Sequence, residues 1–195
     1  IIDGKIHCIT GPKLIKIEST WRSLYDLVNF SSGRKNIKIR VLDASWIEIS
    51  KDVNRAVEFD QSQLFKKLYE EEYGTFGGLP YSMIVVDHEF TPSNQDMALL
   101  ENLASVAAAA HAPLISAAGA RMFGMDSFTS LGNPRDMAKV FEATDYVKWR
   151  SFRDTEDSRY VTLTLPRILL RLPYGPEGTP VEELNYVEGV DGKDH

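Results

Sequence analysis

Asp87, His88 and Glu89 stand side by side, three titratable groups directly after the apolar run Met83-Ile84-Val85-Val86. A carboxylate beside an imidazole can move protons or hold a metal ion. The run before them reads as a parallel strand buried on both faces, and open α/β sheets place ligands where such strands end. Consecutive residues of an extended chain, however, point to opposite sides. His88 would need a partner from elsewhere, such as His111, and no spacing links the two. A small α/β hydrolase or nucleotide-dependent enzyme using the Asp87–His88 strand end is therefore the alternative reading.

Other chemistries find less support. Wrapping a phosphate takes glycines between strand and helix, so that backbone N–H groups can surround the anion. The link after Val86 is DHEFTPSNQD, without glycine, and Gly74, Gly77 and Gly78 all precede the strand. Gly124-Met125-Asp126-Ser127 lacks the spacing of a nucleophile elbow, so Ser127 reads as a cap. Cys8 is the single cysteine, which fits a small buried residue in a reducing compartment. No catalytic, cofactor-binding or metal-ligating residue is expected.

The elements around these residues are clearer. A helix is expected from Pro12 to Asn29, started by Thr10 or Gly11 and ended by Ser31-Ser32-Gly33. Leu14, Ile17, Trp21, Leu24 and Val28 fall on one stripe of it. That stripe either packs on its own domain, the favoured reading, or binds a partner. Asn36 to Asp43 alternates like a half-buried strand. Asp60 with Gln63 resembles a capping box, opening a helix with Phe65, Leu68 and Tyr69 inward. Ser93 and Asp96 cap a further helix lined by Leu99, Leu100, Leu103, Val106, Ala107 and Ala110, ended by Pro113. Leu114 to Ala117 follows as a buried strand.

Strand, helix, strand at these lengths is a βαβ unit, which requires a parallel pair. Further on, Asn133 caps and Pro134 opens a helix with Met137, Val140 and Phe141 inward. Tyr146, Trp149 and Phe152 form another helical stripe, and Tyr160 to Leu165 alternates like a strand ending at Pro166. The fold class is α/β: a three-layer-like domain with a mixed, partly parallel sheet flanked by helices.

Composition narrows the partners. The 195 residues are 43% apolar and carry a net charge of -6. Such a chain builds a core, and its charge argues against nucleic acid, which calls for clustered Lys and Arg. No apolar run approaches the roughly 18 residues of a membrane span. Arginines gather after Trp149, interleaved with Asp154, Glu156 and Asp157 and with aromatic residues. Trp149, Arg150, Phe152, Arg153 and Arg159 are the candidate subunit interface.

Longer phrases carry a resemblance. Trp21-Arg22-Ser23-Leu24 is followed by FDQSQLFKKLYEEEYGTFGG, DMALLENLASVAAAAHAPLISAA, FGMDS, NPRDMAKVFEATDYVKWRSFRD and SRYVTLTLPRILLRLPYG. In this order, across most of residues 12–175, they resemble the large subunit of the contractile sheath of bacterial type VI secretion systems. Ile1 to Thr10, Leu79, Ser82 and the Gly119–Arg121 turn depart from the family pattern.

The resemblance implies a cytoplasmic structural protein, with no active site and no cofactor. It implies pairing with a small sheath subunit and stacking of these heterodimers into a helical tube around an inner tube protein. Contraction then transmits force, and an AAA+ ATPase dismantles the contracted sheath. No nucleic acid and no membrane insertion are implied. The expected organisation is a poorly matched segment over 1–11, one α/β sheath domain over 12–173, and an acidic flexible tail over 174–195. The ends read as cut, the piece being the middle of a longer chain.

Overall fold

The computed structural model describes residues 12–132, 137–165, 167–180 and 186–189. The chain divides into two compact units, Ile1–Leu42 with Arg167–His195, and Asp43–Pro166. Cys8, Thr10, Gly11, Asn133, Pro134, Asp136 and Pro166 lie outside the described residues.

The larger unit is built on three parallel strands: β1 (Ile84–Phe90), β2 (Leu114–Ala118) and β3 (Val161–Thr164), in the order β1-β2-β3. The fold is α/β as expected, and every pairing in this sheet is parallel. Helix α4 (Asn94–Ala109) connects β1 to β2 and completes the βαβ unit. The Ser93 hydroxyl accepts the Asp96 N–H at 3.1 Å, and the Asp96 carboxylate accepts the Thr91 N–H at 3.0 Å. The entry to the helix is thus satisfied from both sides.

The apolar stripe of α4 is buried at every expected position, Leu99, Leu100, Leu103, Val106, Ala107 and Ala110. At its far end His111 takes a left-handed φ of 52°. The Ala112 N–H then reaches the Ala107 carbonyl at 3.0 Å, and the His111 N–H that of Ala108 at 3.1 Å. This is a Schellman closure, completed before Pro113 is reached. Phe90, Leu100, Leu114 and Met122 form the fully buried centre of the core.

Strand β1 corrects the reading of Met83–Val86. It runs on through Asp87-His88-Glu89, and its residues alternate between half-buried and exposed, with Val85 67% exposed. It is an edge strand rather than one enclosed on two sides. Its register with β2 slips: Val85 faces Ile115, but Glu89 faces Ala117. The carbonyls of Val86 and His88 meet the buried Ser116 hydroxyl at 3.0 and 2.7 Å. A side chain of the central strand thus supplies the donor that the bulge removes from the ladder.

Two more readings change. Helix α2 (Trp46–Arg55) was not anticipated; Ser45 and Glu48 form a reciprocal capping box at its start. The expected cap at Asp60 is displaced to Ser62, whose hydroxyl accepts the Phe65 N–H at 3.1 Å. Ahead of it stands a 3-10 turn, Phe59–Gln61; behind it follow α3 (Gln63–Phe65) and a π turn, Lys66–Glu70. The Asp52 carboxylate of α2 accepts the N–H groups of Gln63 and Leu64 at 3.0 and 2.9 Å. The inward face is as expected: Phe65 is buried, and Leu68 and Tyr69 are half-buried.

The chain continues through α5 (Met137–Val140) and α6 (Val147–Arg153). In α6 and the turn before it, Tyr146 and Phe152 are buried and Trp149 is half-buried, so the aromatic stripe packs inward.

The smaller unit holds one long helix, α1 (Pro12–Ser31), and the segments 167–180 and 186–189. Gly33, at φ 82°, follows the helix end. Residues 36–43, expected as a strand, form none. Alternation alone makes no strand without a ladder partner, and no described strand lies along this stretch.

Candidate assembly surfaces

The Asp87-His88-Glu89 side chains do not converge on one point. Asp87 and Glu89 are exposed, while His88 alternates to the other face. The His88 ring stacks on Trp46 with centroids 3.6 Å apart and meets Phe90 edge-on at 5.0 Å. Its Nε2 lies 3.7 Å from Asp96 Oδ1. His111, the suggested partner, has other neighbours: its Nδ1 stands 3.3 Å from the Tyr160 hydroxyl and its ring beside Tyr73. Among the described residues no group of three or more His, Cys, Asp or Glu could hold a metal ion. No described helix is long and apolar enough to cross a membrane.

What the two units do present is apolar surface. On α1, Leu14, Ile17, Trp21 and Val28 are exposed, and Trp21 is 64% exposed. Only Leu24 of the stripe is half-buried. Among the described residues of the smaller unit, nothing covers the stripe.

The flank of the same helix is occupied. Arg171 grips Glu18 with Nε to Oε1 at 2.8 Å and Nη2 to Oε2 at 3.0 Å. Two further donors take Glu188, Nη1 to Oε2 at 2.7 Å and Nη2 to Oε1 at 3.1 Å, and Nη1 also donates to the Leu172 carbonyl at 3.1 Å. The Tyr174 hydroxyl donates to Glu18 Oε1 at 3.0 Å, and Arg22 Nε reaches the same oxygen at 2.8 Å. The guanidinium of Arg171 lies 3.9 Å over the Tyr174 ring. Hydrogen bonds from Arg171 above all, with smaller help from Arg22 and Tyr174, hold the Glu18 carboxyl at about 2 against the opposing effect of burial. Arg171 likewise lowers Glu188, and the two carboxylates together raise Arg171. Sequence spacing carried no signal for this cluster; Tyr174 and Glu188 fall in the stretch expected as a tail.

The five arginine and aromatic positions separate by role. Phe152 is core. Arg150 donates to the carbonyls of Phe141 and Ala143 at 2.6 and 2.9 Å, holding the turn ahead of α6. Arg153 and Arg159 are exposed. Trp149 and Arg153 line a depression of about 520 Å³ beside β3, with Met122, Phe123, Phe141 and Leu163.

A third feature escaped the sequence reading. The turn after the π-helical segment carries Phe76, fully exposed. Its neighbour Gly77 has φ 83°. The Glu72 carboxylate accepts the Leu79 N–H at 2.9 Å and closes the turn. Gly-Thr-Phe-Gly-Gly bracketed by Glu72 and Leu79 was the available signal.

The sequence has counterparts among known proteins. A family model described as VipB: EvpB/VC_A0108, tail sheath N-terminal domain, matches residues 5–195. The type VI secretion system sheath protein TssC1 of Pseudomonas aeruginosa is 49% identical over 181 residues, 92% of this chain and 36% of TssC1. The chain therefore spans about a third of the length of that relative. With a match across nearly its whole length, this chain belongs to the VipB family of tail sheath N-terminal domains.

Proposed function

We propose that this chain is part of the large subunit of a type VI secretion sheath, a cytoplasmic structural protein without turnover of its own. It pairs with a small sheath subunit. The heterodimers stack around an inner tube protein and transmit force on contraction, and an AAA+ ATPase dismantles the contracted sheath. Likeness to TssC1 supports the class of protein. The observation that carries the pairing is the exposed Leu14–Val28 stripe on a helix whose flank is fixed by Arg171.

An exposed apolar stripe of this kind is covered in a working protein, and a helix from a partner suits it. Arg153, which lines the depression with Trp149, and the exposed Arg159 are proposed for contacts between subunits. His88, enclosed by Trp46 and Phe90, is a structural residue in this reading.

Co-expression of the full-length parent with its small partner, viewed by negative-stain electron microscopy, tests it. Hollow tubes that vanish without the partner are expected. Discrete particles across salt and pH would overturn the reading. Trp21→Asp should abolish pairing, seen by co-purification, while leaving the thermal midpoint of the large subunit unchanged.

A further inference from the structure

We infer that His88 is a proton-operated clasp, which fastens helix α2 to the sheet more tightly when its ring is charged. Three elements of the larger unit meet on this one imidazole. Trp46, the first residue of α2, lies flat on its face, with centroids 3.6 Å apart and planes 14° from parallel. Phe90 of β1 meets the pair edge-on, 5.0 Å from His88 and 5.5 Å from Trp46. From the first turn of α4, Asp96 brings Oδ1 to 3.7 Å from His88 Nε2. The His88 and Asp96 side chains are 19% and 17% exposed, so water and salt screen the pair weakly.

The neighbours distinguish the two forms of the ring. A neutral imidazole on Trp46 is one flat ring on another. An imidazolium in the same place is a cation on an indole face, the best aromatic partner a cation has. It also carries a hydrogen on both nitrogens, so Nε2 becomes a donor toward a carboxylate. The other oxygen of Asp96, Oδ2, is held by the Thr91 N–H and hydroxyl, which fixes the carboxylate beside the ring.

Two effects oppose charging. Burial disfavours the cation, and the N-terminus of α4 is the positive end of a helix. Asp96 offsets the second, because its own charge sits in that first turn. The other charges near the ring along the chain are carboxylates as well. Asp87 and Glu89 flank His88 on β1 and alternate to the exposed face. On α2, Glu48 is engaged by the N–H and hydroxyl of Ser45. From β2, the Ser116 hydroxyl donates to the His88 carbonyl and adds no charge.

What hangs on the clasp is α2 and, through Asp52, the Gln63 and Leu64 amides at the start of α3. A ring that prefers its charge when α2 is seated titrates higher there than when α2 lifts away. The added hold is complete below the free value, about 6.5, and is lost as pH rises through the seated value.

Deuterium exchange at the imidazole C2 position, read by mass spectrometry on the full-length parent, gives the titration midpoint of His88. A midpoint above about 7 is expected, against about 6.5 for a free imidazole. Asp96→Asn, whose remaining oxygen can still accept the Thr91 N–H, should bring it to about 6.5 or below. Amide protection across residues 46–55, corrected for intrinsic exchange, should fall at least about threefold as pH rises from about 6 to about 8.5. In His88→Gln, which cannot take the proton, that fall should vanish. A wild-type midpoint at or below about 7 would overturn the clasp, and so would a fall in protection that persists in His88→Gln. Neither readout requires tubes, so the result stands apart from the sheath reading.

Discussion

Arg171 meets Glu18 at two points, Nε on Oε1 and Nη2 on Oε2, across 153 positions of sequence. The fork geometry matters because the same guanidinium also holds Glu188. A lysine carries the charge but reaches one carboxylate at a time. Arg171→Lys should lower stability by about 2 kcal/mol, as expected for lost charge-assisted hydrogen bonds in a half-buried setting. Urea unfolding of the protein checks this.

Acid should act on the same cluster. Glu18 titrates at about 2 in the fold, against 4.5 for a free glutamate. A depressed folded value means that the contribution is complete above about 4.5 and is lost as pH falls toward 2. The thermal midpoint should be insensitive to this group near neutrality and should drop through that acid window. Glu18→Gln should flatten the drop while lowering the midpoint at neutral pH.

Adjacent glycines of the Phe76 turn should respond differently. At Gly77, φ is 83° but nothing stands within 4 Å of an added Cβ, so Gly77→Ala costs only the strain, about 1 kcal/mol. At Gly78 the added carbon would fall on the Glu72 carbonyl oxygen, and backbone must move. Hydrogen exchange at the Leu79 amide should stay slow in Gly77→Ala and become fast in Gly78→Ala.

Asp52 ties α2 to α3 through the amides of Gln63 and Leu64. Asp52→Ala leaves those two N–H groups to water and should cost about 1–2 kcal/mol, in the range of a lost helix cap. Asp52→Asn, with one acceptor oxygen, should recover part of that. Chemical denaturation of the two variants side by side gives the comparison.

Legibility in the sequence followed the range of the interaction. The α4 stripe and its Ser93 cap depend on residues a few positions apart, and the parallel βαβ pair follows from the lengths of consecutive elements; all were readable. Helix α2 carries a signal too, since Ser45 and Glu48 have capping-box spacing, but no strong turn signal flanks it. Residues 36–43 mislead because Ile37, Ile39 and Val41 alternate in the same way whether or not a ladder partner exists. The exposure of Val85 follows from an edge position that no run of apolar residues reveals. Phe76 sits among glycines, where a sequence does not distinguish a ring folded inward from one held out in water. The Arg171 cluster joins residues too far apart for any local pattern, and the stacking of Trp46 on His88 comes from a helix that was not foreseen.

The slipped register of β1 also bears on how this strand tolerates changes of length. Four steps from Val85 to Glu89 match two from Ile115 to Ala117, so the surplus is two residues, an even number. Even surpluses keep inward and outward positions in phase, and His88 and Phe90 stay on the inner side with Ile84 and Val86. A deletion of one residue within 86–88 would send Ile84 and Val86 outward or Phe90 into water. A deletion of two would leave the sides as they are and straighten the ladder, while depriving the Ser116 hydroxyl of its present acceptors.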